Sequence, residues 1–86
     1  MNEDTWHVYL LECADGTFYC GVAKDMGKRL AQHNGALPGG ARYTRGRRPV
    51  RLLGSRACET QGEALKLERI VKRRPRNEKL SAILGP

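Results

Sequence analysis

Asp15-Gly16 separates two strand-like runs near the start of the chain, WHVYLLEC (Trp6 to Cys13) and TFYCGV (Thr17 to Val22). Both runs carry aromatic and β-branched residues, and an Asp-Gly pair between such runs marks a β-hairpin. Side chains alternate across a strand, and residues paired across two strands share a face. With a two-residue loop, Ala14 pairs with Thr17 and Tyr19 faces Glu12, so Tyr9 and Tyr19 point to opposite sides. With a three-residue loop or one bulge, Tyr19 pairs with Leu11, and both tyrosines lie on one face. Gly16 permits the second arrangement, because three-residue loops commonly end in a glycine at positive φ. Cross-strand packing is one reading of the two tyrosines. A shared site is the other, and it requires the irregular loop.

The rest of the chain must cover this hairpin. Asp25 reads as the N-cap of a helix, MGKRLAQHN, which stops at Asn34 or Gly35, with Gly27 weakening its interior. A loop from Gly35 to Ala41 continues through RYTRGRRP to Pro49. VRLLGSRAC (Val50 to Cys58) reads as a third strand. Thr60 and Glu63 form a capping box that opens the helix QGEALKLERIVKR. Pro75 breaks that helix and starts a last short one, closed by Gly85. The order β-β-α-β-α-α predicts a single α/β domain over residues 1–86: a small three-stranded antiparallel sheet with flanking helices. The first helix supplies the crossover to the third strand.

Charge points to the partner. The 86 residues carry a formal net charge of +7. The basic residues gather in RYTRGRRPVR (Arg42, Arg45, Arg47, Arg48, Arg51) and KRRPR (Lys72, Arg73, Arg74, Arg76). Arginine outnumbers lysine in both, which suits bidentate phosphate contacts, so a nucleic-acid partner is expected. No apolar run approaches the roughly 18 residues of a membrane helix, and neither cluster has an apolar helical face with aromatic anchors beside it. The start MNEDTWHVY lacks the basic region and apolar run of a secretory signal. Cys13, Cys20 and Cys58 are odd in number and form no CxxC pair. They read as buried thiols in a reducing cytoplasm rather than as a disulfide or zinc framework.

Three further places can carry chemistry. Arg29 and His33 are four apart and share a helix face, where a guanidinium and an imidazole suit phosphate binding and proton transfer; a solvated face is the plainer reading. Glu68 borders the apolar stripe of Ala64, Leu67 and Val71, and a carboxylate there needs a partner. A salt bridge meets that need, and so does a hard divalent ion such as Mg²⁺. In Arg42-Tyr43-Thr44-Arg45 a tyrosine between arginines reads as a nucleic-acid contact, stacking or hydrogen-bonding while the arginines meet phosphates. His7 reads as strand surface.

Taken together, these residues resemble the GIY-YIG nuclease superfamily. His7-Val8-Tyr9 stands at the first triplet and Tyr19-Cys20-Gly21 at the second, with Arg29 in the first helix and Glu68 in a later one. The pattern W-x-V-Y-L-L-x-C-x-D-G-T-x-Y-x-G, R-x-x-x-H-N and A-R-Y-T-R-x-R-R-P-V, ending in E-x-x-x-K-R-x-x-R-x-E-K-L, is similar to the small stand-alone bacterial group called UPF0213, or YhbQ-like. The resemblance implies phosphodiester hydrolysis with one divalent ion, Mg²⁺ or Mn²⁺, held by Glu68. It implies that Tyr9 helps activate the attacking water, that Arg29 stabilises charge on the phosphate and that Tyr19 orients it. It gives His33 a role as proton acceptor or phosphate ligand, and Gly21 a close backbone approach. Arg42, Tyr43, Arg45, Arg47, Arg48, Lys72, Arg73 and Arg76 are the expected nucleic-acid contacts. The chain departs from the family at His7 (a glycine there), Cys20 (isoleucine), Ala23 (often threonine) and Leu80 (often asparagine). It carries no separate DNA-binding domain, so weak sequence preference is expected, on DNA more than RNA, with a protein partner supplying specificity. A binding module without catalysis on the same scaffold is the alternative.

Overall fold

The computed structural model describes residues 5–85; the acidic start of the chain that argues against a secretory signal lies outside them, apart from Thr5 onward. The elements are β1 (Trp6–Glu12), β2 (Phe18–Ala23), α1 (Met26–His33), α2 (Arg42–Arg45), β3 (Arg51–Cys58), α3 (Gln61–Lys72) and α4 (Arg76–Leu84). The strands form one antiparallel sheet in the order β2-β1-β3. The expected α/β architecture is therefore present, with one addition. RYTR, read as loop, closes into the short helix α2.

The central strand explains why its sequence alternates so poorly. Its residues from His7 to Leu11 are all buried, because helices cover both faces of the sheet. On one face Val8, Leu10 and Cys20 meet Ala64 and Val71 of α3 and Ile83 of α4. On the other, Tyr9, Leu11, Cys13, Ala23 and Val50 pack with Tyr19, Met26 and Leu30. A strand buried on both sides reads as a continuous apolar run. His7 shares the second face and is only 8% exposed, which corrects its reading as strand surface. It borders an open concavity of about 510 Å³ with Leu52 and Ser55.

The signals at the element ends match the chemistry expected of them. The Asp25 side chain accepts from Lys28 N at 3.0 Å, and Gly35 takes φ +83° just after α1. Thr60 Oγ1 accepts from Glu63 N at 3.1 Å, while the Glu63 carboxylate reaches back to the amide of Glu59. Asn34 fixes where α1 ends relative to the sheet. Its amide donates to the Val50 carbonyl and accepts from the Val50 amide, as a strand neighbour would. Leu80, at the position where the resembled family often has asparagine, packs over Gly54 of β3. Cys13, Cys20 and Cys58 are free thiols. No helix among the described residues is long and apolar enough to cross a membrane.

Candidate functional site

The hairpin resolves the tyrosine question. Cys13 N donates to Thr17 O at 2.8 Å, and Gly16, at φ +82°, ends the three-residue loop Ala14-Asp15-Gly16. The register pairs Leu11 with Tyr19 and Tyr9 with Gly21. Both phenols therefore project from one face, with ring centroids 6.4 Å apart. Gly21 lies against the end of the Tyr9 side chain. A Cβ on Gly21 would collide with the hydroxyl end of Tyr9, so the missing side chain makes room for that phenol.

α1 brings His33 between the two tyrosines, 5.7 Å from the Tyr9 ring and 5.2 Å from the Tyr19 ring. Tyr9 and His33 are 1% and 0% exposed, and Tyr9 Oη lies 2.7 Å from His33 Nε2. On the far side of the imidazole, Nδ1 lies 2.9 Å from Thr44 Oγ1. The Thr44 hydroxyl hydrogen is committed to the Ala41 carbonyl, also at 2.9 Å. A hydroxyl has one hydrogen, so Thr44 Oγ1 receives the Nδ1–H of His33. The neutral imidazole then presents Nε2 as an acceptor, and Tyr9 donates to it. The sequence reading passed over Thr44. It is buried inside a four-residue helix and gives no periodic signal.

Burial and nearby cations set the protonation of this chain. Burial, with the charges of Arg29 and Arg48 behind it, pushes the His33 pKa down to about 4. Burial pushes the Tyr9 phenol up to about 12, against the opposing hydrogen bond and charge of Arg29. At neutral pH the pair is a phenol donating to a neutral imidazole. Arg29 acts on both members. Its Nη1 donates to Gln32 Oε1 and to the Gly39 carbonyl, each at 2.9 Å, which ties the guanidinium to the last turn of α1 and the loop after it. Beside it runs a groove of about 310 Å³, with Lys24, Lys28, Arg29 and Gln32 on its walls. Ala23 lines the same groove, where a threonine would have offered a hydroxyl.

Tyr43 joins this cluster by packing. Its ring stacks on Tyr19 with centroids 5.6 Å apart, and Arg47 lies over it at 3.9 Å. Tyr43 is thus packed against both Tyr19 and Arg47, yet stays 37% exposed. Three of the expected nucleic-acid arginines are already engaged. Arg47 pairs with Asp15 at 3.0 Å and donates to the Tyr43 carbonyl. Arg48 Nε donates to the His33 carbonyl at 2.7 Å. Arg76 lies over Phe18, donates to the Gly16 carbonyl and meets Glu12 at 3.8 Å. Arg42, Arg45 and Arg73 are exposed.

Glu68 stands apart from the tyrosines. It lies on α3, which packs on the opposite face of the sheet, and its carboxylate meets Lys72 at 3.4 Å. Its charge adds to burial in pushing the Cys20 thiol up to about 11. Cys20 sits on β2 between Tyr19 and Gly21, and β2 is an outer strand. Glu68 is therefore near β2, but on the face of the sheet away from the tyrosines. Its side chain is 21% exposed, so it can take a ligand without unfolding α3. No three His, Cys, Asp or Glu side chains cluster among the described residues. A lone carboxylate still fits a hard divalent ion, which takes one or two carboxylates and completes its shell with water and substrate phosphate.

Comparison with known proteins identifies the family. Residues 5–81 match the GIY-YIG catalytic domain. The chain is 48% identical over 81 residues to a UPF0213 protein of Nitratidesulfovibrio vulgaris, covering 94% of this chain and 72% of that protein. It is 42% identical over 80 residues to a UPF0213 protein of Staphylococcus saprophyticus, covering 93% and 95%. Its fold is similar to the NMR structure of UPF0213 protein BH0048 from Bacillus halodurans, with a TM-score of 0.55 and 39% identity over 90% of this chain and 80% of that one. The chain belongs to the GIY-YIG family, within its UPF0213 group.

Proposed function

We propose that the protein hydrolyses phosphodiester bonds of nucleic acid with one divalent ion, Mg²⁺ or Mn²⁺. The observation that carries this reading is the buried Tyr9–His33 hydrogen bond, held at 2.7 Å within the field of Arg29. Any buried phenol needs an acceptor; here the acceptor is a titratable imidazole beside Arg29, which can take a proton where a backbone carbonyl could not. Arg29 would bind the phosphate in the groove it shares with Lys24 and Lys28, and Tyr19 would orient it from the same face. Tyr9 Oη would take a proton from the attacking water as its own proton moves to His33 Nε2.

The low basicity of His33, set first by burial, opposes this proton transfer in the free protein. Two nearby guanidinium groups help hold the imidazole neutral, and an anionic phosphate on Arg29 offsets one of them. His33 thus becomes a better acceptor when substrate is bound. Glu68 would hold the metal, whose Lewis acidity polarises the phosphate and stabilises the leaving oxygen. A carboxylate beside a phosphate weakens binding unless a cation lies between them, so Glu68 favours catalysis over binding alone. The substrate is DNA in preference to RNA, in branched, damaged or single-stranded form as in repair or recombination, with weak sequence preference. A protein partner adds specificity, and the setting is cytoplasmic.

A gel assay on a panel of DNA and RNA forms, in Mg²⁺, Mn²⁺ and chelator, tests this reading. Metal-dependent cleavage lost in Arg29→Ala is the expected result. Salt-sensitive binding with no turnover in either metal would replace it with the binding-module reading.

A further inference from the structure

Thr44 is 0% exposed and belongs to none of the assigned roles. Its hydroxyl oxygen lies 2.9 Å from His33 Nδ1, and the hydroxyl donates to the Ala41 carbonyl at 2.9 Å. That carbonyl also accepts from Thr44 N at 3.1 Å, so removing the hydroxyl leaves Ala41 with a partner. Only the imidazole loses one. We propose that Thr44 is a positioning residue that fixes the tautomer of His33, and through it the direction of the Tyr9 hydrogen bond. The proton-accepting part of this role rests on the nuclease reading above; the tautomer does not.

The reasoning is one of proton count. Neutral imidazole has one N–H and one bare nitrogen. In this buried site each must meet a complementary partner, since an unmatched polar group away from water is costly. Thr44, already donating to Ala41, offers only a lone pair on its imidazole side. The N–H therefore sits on Nδ1, and Nε2 is left bare toward Tyr9. Without the hydroxyl, Nδ1–H faces a hydrocarbon. The imidazole then gains by moving its hydrogen to Nε2 and donating to Tyr9 Oη. In that state His33 cannot take the Tyr9 proton, although every ring remains in place.

Thr44→Val keeps the shape and removes the hydroxyl, and Thr44→Ser keeps the hydroxyl and removes a methyl. Ring-nitrogen NMR of uniformly ¹⁵N-labelled protein near pH 7 reads the tautomer directly. The Nδ1–H form is expected in the wild type and in Thr44→Ser, and the Nε2–H form in Thr44→Val. With wild-type circular dichroism, Thr44→Val should lose about 100-fold in kcat, with KM little changed, and Thr44→Ser should recover most of the loss. An Nε2–H tautomer in the wild type, or an Nδ1–H tautomer retained in Thr44→Val, overturns the proposal. So does full-rate cleavage by a Thr44→Val protein whose tautomer has switched. If Thr44→Val does not fold, the tautomers of the wild type and Thr44→Ser decide the matter. If no variant cleaves nucleic acid, the nuclease reading fails, while the tautomer result still judges Thr44.

Discussion

Acid should unfold this protein in part through a single buried imidazole. His33 is 0% exposed, and both ring nitrogens are committed, Nδ1 to Thr44 and Nε2 to Tyr9. Protonation places a charge in a dry site near Arg29 and Arg48 and sets a new N–H against the hydrogen that Tyr9 donates. The folded pKa falls to about 4 from an ordinary value of 6.5. Above pH 6.5 the group is neutral in both states, and its contribution to stability is complete. As pH falls below 6.5 the unfolded chain takes the proton first, so stability drops, and the loss ends once the folded form titrates near pH 4. The span is worth about 3 kcal/mol. A domain of this size has on the order of 4–13 kcal/mol in total, so the effect is large. Urea unfolding followed by circular dichroism, from pH 7.5 to 4, measures it. His33→Gln cannot titrate there, so the stability gap between the two proteins should narrow by about 3 kcal/mol over that range. Parallel pH profiles would refute the reasoning, since the remaining pH dependence would then belong to other groups.

Four further outcomes follow from the geometry. Gly21→Ala puts a methyl where the Tyr9 phenol lies, so it should destabilise the fold by about 1–3 kcal/mol and suppress cleavage, read by thermal melting and the gel assay together. Tyr9→Phe keeps the ring and removes the hydroxyl, so cleavage should fall by about 100-fold or more while circular dichroism stays native. Arg42→Ala and Arg45→Ala, on exposed residues, should each reduce the salt slope of DNA binding by about 1 without changing the melting temperature. Arg48→Ala should instead lower the melting temperature, because its guanidinium holds the His33 carbonyl.

Much of this is readable from residue spacing, and each exception has its own physical cause. Hairpin parity is arithmetic on a two-residue period. It demanded a three-residue loop or a bulge if the tyrosines were to share a face, and the loop at Gly16 is the first of these. The capping residues Asp25 and Thr60 signal locally and were equally legible. Glu68 lies at the edge of the core, as the helix wheel placed it, and its near partner Lys72 is one turn away on the same helix. His7 was misjudged because a polar residue suggests surface, while its strand is central and covered on both faces. α2 was missed because four residues are too few to show a helical period. Thr44 and the engaged guanidinium groups of Arg47, Arg48 and Arg76 depend on partners distant in sequence. Composition counts such cations but does not tell which ones the fold already uses.

The most direct test of the central claim is cleavage of a mixed DNA panel by the wild type and by Glu68→Ala, each in Mn²⁺, Mg²⁺ and chelator. The account predicts cleavage by the wild type in metal only, and none by Glu68→Ala, with both proteins equally folded and bound to DNA. Glu68 lies on α3, on the opposite face of the sheet from the tyrosines, so this variant leaves the Tyr9–His33–Thr44 chain untouched. Cleavage that survives Glu68→Ala, or that proceeds unchanged in chelator, would contradict it.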